Sequence, residues 1–238
     1  MCTVTLIPTQ ENNFILTSNR DEAINRKTLL PEFYQVNNTR MLFPKDAVAG
    51  GTWIGVSDKS TMICLLNGGF KIHERAASYR QSRGVVVKDL LSADHLEKAI
   101  MGYNYKGIEP FTIVAANWQS DLIFYEIVWD GKEKHFRELE KETHIWSSST
   151  LYTDEMKAIR REWFRAFEQD VFLTQDTLLG FHKNAGVGNK NIDLRIDRGT
   201  LKTRSVTQIV KNEEELSMRY EDLQCNEVNT VVFEAITA

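Results

Sequence analysis

The sequence predicts an α+β protein built on antiparallel sheets. Three observations carry that class. Strand-like segments come in pairs joined by short polar loops, helical periodicity is confined to a few stretches, and those stretches stand between groups of hairpins rather than between successive strands. Antiparallel neighbours tolerate such short connections, whereas parallel neighbours need crossovers of a dozen residues or more.

The first pair is Thr3–Ile7 and Phe14–Ser18, and the polar run Asn19-Arg20-Asp21-Glu22 arrives where the second of these apolar strands is expected to end. Trp53–Ser57 and Met62–Leu66 flank Asp58-Lys59-Ser60-Thr61, and Phe111–Ala116 and Leu122–Trp129 flank a second polar loop. Thr203–Val210 and Ser217–Glu221 make a further hairpin, with Val228–Ile236 as a closing strand. A helical region runs from about Gly84 to Gly102 and is divided near Ser92-Ala93-Asp94. Thr153 caps a helix over Asp154–Gln169, in which Met156, Ile159, Trp163 and Phe167 recur at three- and four-residue steps. Asp154 and Glu155 in its first turn suit the helix dipole. Gln175–His182 reads as a shorter helix, and Gly186-Val187-Gly188 as a mobile loop. With no internal repeat, low-complexity linker or composition shift, a single domain over 1–238 is expected.

Whole-chain properties exclude several function classes. A formal charge of -4 and the lack of any long basic run disfavour nucleic acid and other polyanions. No stretch approaches the ~20 apolar residues that span a bilayer. The short apolar segment Val4–Ile7, interrupted by Pro8 and lacking a basic flank, does not read as a signal peptide, so a cytoplasmic protein is expected. Cys2, Cys64 and Cys225 are odd in number and widely spaced, which argues against a disulfide framework, and with no secretory signal read the Asn37-Asn38-Thr39 sequon is expected to be idle. The five histidines show no zinc spacing, and dinucleotide, phosphate-loop and serine-elbow motifs are missing, so neither metal nor cofactor is expected. Oligomeric state is not legible.

Three features carry chemistry. Removing Met1 would leave Cys2 with a thiol and a free α-amine, whose reference pKa values of about 8.5 and about 7.7–8.0 let the amine activate its own side chain. The other reading is a small apolar residue opening the first strand. The first hairpin returns Asn19–Asp21 toward the start of the chain, where a carboxylate can hold an amine and a guanidinium can grip a substrate anion. Asn67, followed by Gly68-Gly69 at a strand end, combines an amide donor with nearby backbone N–H groups, as an oxyanion hole requires; an Asn-Gly turn gives the same pattern. Gly50-Gly51-Thr52-Trp53-Ile54-Gly55 brackets a tryptophan with glycines and predicts close backbone approach. Ser147-Ser148-Ser149 reads as polar turn residues ahead of a helix cap.

Met1-Cys2-Thr3, Thr17-Ser18-Asn19-Arg20-Asp21-Glu22 and Gly50-Gly51-Thr52-Trp53-Ile54-Gly55, in that order, resemble the NRDE family, the transport-and-Golgi-organisation group. Looser matches at Leu65-Leu66-Asn67, Ser82-Arg83-Gly84, Pro110–Ala116 and Thr203–Thr207 extend the resemblance over nearly the whole chain. It implies an N-terminal nucleophile hydrolase architecture, a four-layer αββα sandwich of two antiparallel sheets flanked by helices. The wider likeness is to cysteine acylases with an Arg-Asn-x-Asp element after the second strand. Here the arginine follows Asn19, a shift expected to turn Arg20 to the opposite strand face. The acylases' second asparagine, after mid-chain, is replaced here by Ser147-Ser148-Ser149.

Two functions follow from the resemblance. One is an amidohydrolase or acyltransferase acting on a small amide, with Cys2, Asp21 and Asn67 catalytic and Asn19, Arg20, Trp53 and Arg204 binding substrate. The alternative is a non-catalytic binding or trafficking protein that handles a hydrophobic ligand such as haem or lipid.

Overall fold

The computed structural model describes residues 3–10, 12–213 and 215–234. In chain order the strands and helices are β1 (Thr3–Pro8), β2 (Phe14–Ala23), β3 (Thr28–Val36), β4 (Thr39–Asp46), β5 (Ile54–Ser57), β6 (Thr61–Asn67), α1 (Arg83–Leu91) and α2 (Leu96–Gly102). They continue as β7 (Phe111–Asn117), β8 (Ile123–Trp129), β9 (Lys134–Leu139), β10 (His144–Ser147), α3 (Asp154–Asp170), α4 (Gln175–Asn184), β11 (Leu201–Lys211), β12 (Leu216–Asp222) and β13 (Glu227–Val232). All pairings between these strands are antiparallel, so the class is α+β as expected. The chain forms two compact units, one from residues up to Arg26 with Glu142–Phe233, the other from Lys27–Lys141 with Glu234.

The first unit carries a six-stranded sheet in the order β10-β1-β2-β11-β12-β13. Helices α3 and α4 cover one face, where Phe164, Leu178 and Phe181 pack with Ile7, Ile15 and Val210. Thr153 caps α3 as expected, its side chain accepting from the Met156 N–H. The buried axis of α3 differs from the expected stripe, however. Ile159 is 39% exposed, while Arg160 and Phe164 are the buried residues, so a cation occupies the centre of the helix's inner face. Thr174 and Thr177 form a reciprocal capping box at the start of α4.

Strand β2 runs through the polar run instead of ending before it. Ser18, Asn19, Arg20 and Asp21 are all buried; all four pair with β11, and Ser18 and Asn19 pair with β1 as well. Pairing with neighbouring strands keeps the strand extended, and Asn19 and Asp21 find polar partners on the helical face. Strand β13 stops at Val232, short of the expected Ile236, which lies outside the described residues.

The second unit carries a seven-stranded sheet in the order β3-β4-β5-β6-β7-β8-β9. The divided helical region is confirmed as α1 and α2, whose Val86, Val87, Leu90, Leu91, Leu96 and Ile100 join Ile63, Leu65 and Ile113 in the core. The glycine-bracketed motif has a packing cause. A Cβ on Gly51 would meet Gly84 Cα at 3.0 Å, and one on Gly84 would meet Thr52 O at 2.9 Å, so the first turn of α1 rests directly on backbone. Strands β3, β4 and β9 of this sheet, and β10 of the other, are not expected from the sequence. Asn37 and Asn38, both at positive φ, form the β3–β4 turn, which gives the sequon a structural role.

Candidate functional site

Alternation along β2 divides its polar residues between two faces. Asn19 and Asp21 point toward the helices, and Ser18 and Arg20 lie on the other face, opposite Thr207 and Ser205 of β11. Thr3, the first described residue of β1, pairs with Asn19 on one side and with Ser147 of β10 on the other. The expectation that a displaced arginine changes face does not hold. Moving it from before Asn19 to after is a step of two residues, which preserves the face, and Arg20 shares its side of the strand with Ser18.

Asn19 is committed to the fold. Its amide nitrogen donates to His182 O at 3.0 Å and Leu194 O at 2.8 Å, which uses both hydrogens. Its Oδ1 lies 2.7 Å from His182 Nδ1, and Thr5 Oγ1 lies 2.9 Å from His182 Nε2. Because Oδ1 can only accept, His182 carries its proton on Nδ1 and accepts at Nε2 from the threonine hydroxyl. Burial, with the Arg160 guanidinium nearby, lowers its pKa from 6.5 to about 3, so the ring is held neutral. With no donor left over, Asn19 acts as a brace between β2 and the end of α4, not as the substrate-binding donor expected.

Asp21 anchors a second network. One carboxylate oxygen accepts the Tyr152 hydroxyl and the other accepts Thr203 Oγ1 at 2.6 Å. Arg160 stacks its guanidinium 3.5 Å above the Tyr152 ring. The same guanidinium donates to Thr3 Oγ1 at 2.6 Å, Asp193 O at 2.6 Å and Ile192 O at 3.1 Å. Asp21 is 2% exposed and Arg160 1%. The carboxylate is therefore fixed in orientation by two hydroxyls, one of them held beneath a buried cation.

The segment after α4 closes over these groups. Val187 N–H donates to Asp193 Oδ1 at 2.9 Å, and a side chain at Gly186, with φ of 150°, would collide with the Asp193 carboxylate. Arg198 ties the segment to Leu151 O and Asn191 O. The glycine cluster thus belongs to a hydrogen-bonded cover and not to a loose loop. Ser148 and Ser149, in the turn after β10, are buried, and Lys157 Nζ donates to Ser149 Oγ at 2.9 Å.

Arg20 lies 3.8 Å from Glu22 and is 3% exposed at its side chain. Arg204 sits at the β11 irregularity between Thr203 and Ser205 and donates to Ile24 O. In the second unit, Trp53 is 6% exposed and precedes β5, and Asn67 ends β6 opposite Phe111. The Gly68 N–H beside Asn67 donates to Pro110 O at 3.0 Å, so that backbone donor, expected to stand open, is already engaged. Cys2 lies outside the described residues. The fold thus brings Asn19, Arg20, Asp21 and Arg204 onto adjoining strands, and carries Trp53 and Asn67 in the other unit.

Sequence reasoning missed Tyr152, Arg160, His182 and Thr203. A charged residue inside an otherwise apolar helical stripe was the available signal for Arg160, and the placement of His182 near a helix end among Leu178, Leu179 and Phe181 was the signal for a buried histidine. Among the described residues there is no group of three or more His, Cys, Asp or Glu that could hold a metal ion, and no helix is long and apolar enough to cross a membrane.

A family model for transport and Golgi organisation 2 matches residues 1–179. The chain belongs to that family. It is 33% identical over 132 residues to the mouse transport and Golgi organization 2 homolog, covering 50% of this chain and 45% of that protein. The human homolog is 30% identical over 131 residues, with the same coverage. The chain therefore spans about half the length of the curated relatives it matches.

Solved structures show the fold. A Caenorhabditis elegans N-acylethanolamine-hydrolyzing acid amidase ortholog superposes with a TM-score of 0.62 at 12% identity, covering 98% of this chain and 100% of that one. Penicillin V acylase from Agrobacterium tumefaciens gives 0.55 at 10% identity, covering 98% and 86%. A variant of conjugated bile acid hydrolase from Clostridium perfringens gives 0.55 at 9% identity, covering 97% and 92%. The expected N-terminal nucleophile hydrolase fold is the fold of this chain.

Proposed function

We propose that this family member is an N-terminal-cysteine amidohydrolase or acyltransferase acting on a small amide. The observation that supports it most is Asp21, a buried carboxylate on a central strand, oriented by the hydroxyls of Tyr152 and Thr203 two residues beyond the Thr3–Asn19 pairing. Nothing in the packing of β2 alone calls for an ionisable group there, since burying a carboxylate costs free energy that its partners must offset. The hydrolase fold gives the position its context, although fold by itself does not assign chemistry.

In this reading Met1 is removed and the α-amine of Cys2 takes the thiol proton, with Asp21 holding the resulting ammonium. The thiolate forms a C–S bond to the substrate carbonyl. The tetrahedral adduct expels the amine, which leaves with the proton returned by the ammonium. Water or a second amine then cleaves the thioester, releasing acid or new amide and restoring the thiol. Arg20 or Arg204 binds a substrate anion.

A second reading, non-catalytic binding of a hydrophobic ligand, draws support from the engaged donors. Gly68 N–H is spent on Pro110 O, and one nitrogen of the Arg204 guanidinium donates to Ile24 O. Intact mass, combined with labelling by a thiol-reactive acyl probe, separates the two. Catalysis requires a mass lacking Met1 and labelling that disappears in Cys2→Ala. Retained Met1 favours the binding reading, and labelling confined to Cys64 or Cys225 moves the site away from Cys2.

A further inference from the structure

Along the edge of β11 opposite β2, two stretches of the first unit take turns as neighbour. Asp197 bridges Lys202, and Asp222 of β12 pairs with Ser205. Where one neighbour gives way to the other lies a cavity of about 310 Å³, walled by the 190–197 segment, the start of β11 and Leu223-Gln224. That volume admits a small ligand. Its walls are braced by backbone. Asp197 N–H donates to Lys190 O at 2.9 Å and Thr203 N–H to Ile196 O at 3.0 Å. Leu223 N–H donates to Arg204 O at 2.8 Å, and the Gln224 amide donates to Thr203 O at 3.3 Å.

Three cations, Lys190, Arg195 and Lys202, and one carboxylate, Asp197, line the cavity. Asp197 is engaged at both oxygens: Oδ2 lies 2.9 Å from Lys202 Nζ, and Oδ1 accepts the Gly199 N–H at 3.1 Å. Carboxylates on the adjoining stretches are engaged as well. Asp193 accepts the Val187 N–H, Asp222 the Gln224 N–H and Glu227 the Cys225 thiol. Glu221 holds Lys183 and Arg219, and Glu22, opposite Lys202 across the strands, lies 3.5 Å from Arg26. Of the neighbouring cations, Arg198 donates to Leu151 O and Asn191 O, and Arg204 to Ile24 O. Lys190 and Arg195 stand apart. Both are exposed, and neither side chain has an ion pair or hydrogen bond among the described residues; Lys190 acts on Asp197 through its field alone.

We propose that this cavity binds a small aliphatic phosphate monoester, with the phosphoryl group on Arg195 and Lys190 and the rest of the ligand against Ile196 and Leu223. Two uncommitted cations of different shape match a dianion. The planar guanidinium takes two phosphoryl oxygens in its fork, and the ammonium neutralises the remaining charge. A single carboxylate is saturated by the arginine and leaves the lysine unmatched. Among the described residues the wall includes no aromatic side chain, so a nucleobase or other flat ring gains no stacking surface there. Thr203 belongs both to this wall and to the Asp21 network, but the phosphate anchors are Lys190 and Arg195, so the inference stands apart from the acyl-transfer reading.

Isothermal titration of the full chain with β-glycerophosphate tests it. The probe should bind one to one with a Kd of about 1 mM or tighter. Acetate, which is singly charged, should bind at least about tenfold more weakly, and glycerol should give no binding heat. Arg195→Gln and Lys190→Gln should each weaken β-glycerophosphate binding at least about tenfold. Arg161→Gln, the same loss of charge at an exposed arginine of α3, should leave the affinity unchanged and controls for net charge. All three side chains are exposed, so circular dichroism should show native folding in each variant. No saturable binding of β-glycerophosphate up to about 10 mM, comparable affinity for acetate or glycerol, or parent affinity in Lys190→Gln/Arg195→Gln would overturn the proposal.

Discussion

Strands β2 and β7 occupy equivalent places, each interior to its sheet and buried along nearly its whole length, and their compositions are opposite. β7 reads Phe111-Thr112-Ile113-Val114-Ala115-Ala116, an apolar run that packs wherever volume permits. β2 passes from Phe14-Ile15-Leu16 into Thr17-Ser18-Asn19-Arg20-Asp21, every one buried. The difference shows where each strand's stability resides. β7 is held by shape, and neighbouring side chains can adjust to small changes. β2 is held by named partners, His182, Tyr152, Thr203 and, through Tyr152, Arg160, each of which must be present for the strand to remain satisfied.

The contrast is broken most sharply by removing a polar group without changing volume. Asn19→Leu leaves His182 O and Leu194 O without their donor and His182 Nδ1 without its acceptor, and should destabilise by about 3–5 kcal/mol in denaturant unfolding. A loss under about 1 kcal/mol would mean that β2 is packed like β7. Tyr152→Phe removes one hydroxyl from Asp21 while keeping the ring under Arg160, and should cost about 1.5–3 kcal/mol by the same measurement.

Acid sharpens the same comparison. His182 has a folded pKa of about 3 against the ordinary histidine value of 6.5, so between these limits the unfolded chain binds a proton that the folded chain refuses. Its contribution is fully present above about pH 6.5 and declines as pH falls toward 3, by roughly 1.4 kcal/mol per pH unit. Stability profiles of the parent and His182→Gln should diverge in that window, and parallel profiles would remove the histidine from the account. At the low end, Ile113→Val in β7 should cost only about 0.5–1.5 kcal/mol, because an apolar neighbourhood loses one methylene and no hydrogen bond.

Legibility in the sequence followed the same divide. Hairpins and helices whose signal is apolar periodicity were readable, including the break between α1 and α2 and the Thr153 cap. Elements whose logic is polar were not. β2 was expected to stop at Ser18 because a polar run normally marks a strand end, and only distant residues, such as Thr203 at a separation of 182, make its burial tolerable. The buried axis of α3 was misplaced because Arg160 reads as surface until its carbonyl partners at 192 and 193 are known. The edge strands β3 and β9, with Pro31 in one and four charged or imidazole side chains in the other, lack the alternation that marks a half-buried strand. For the candidate site, Asn19, Arg20 and Asp21 were identified as a group from the sequence, while the division of labour among them required the register of β2 against β11.

We propose that the Asp21 network serves a reactive cysteine as well as the fold. The most direct measurement is the rate of acyl-probe labelling at Cys2 relative to exposed Cys225 in the same molecule, compared between parent and Asp21→Asn proteins that both unfold cooperatively. Labelling should favour Cys2 in the parent, and the Cys2-to-Cys225 ratio should fall about a hundredfold or more in Asp21→Asn. An unchanged ratio would contradict it, and would leave the carboxylate as a structural feature of β2.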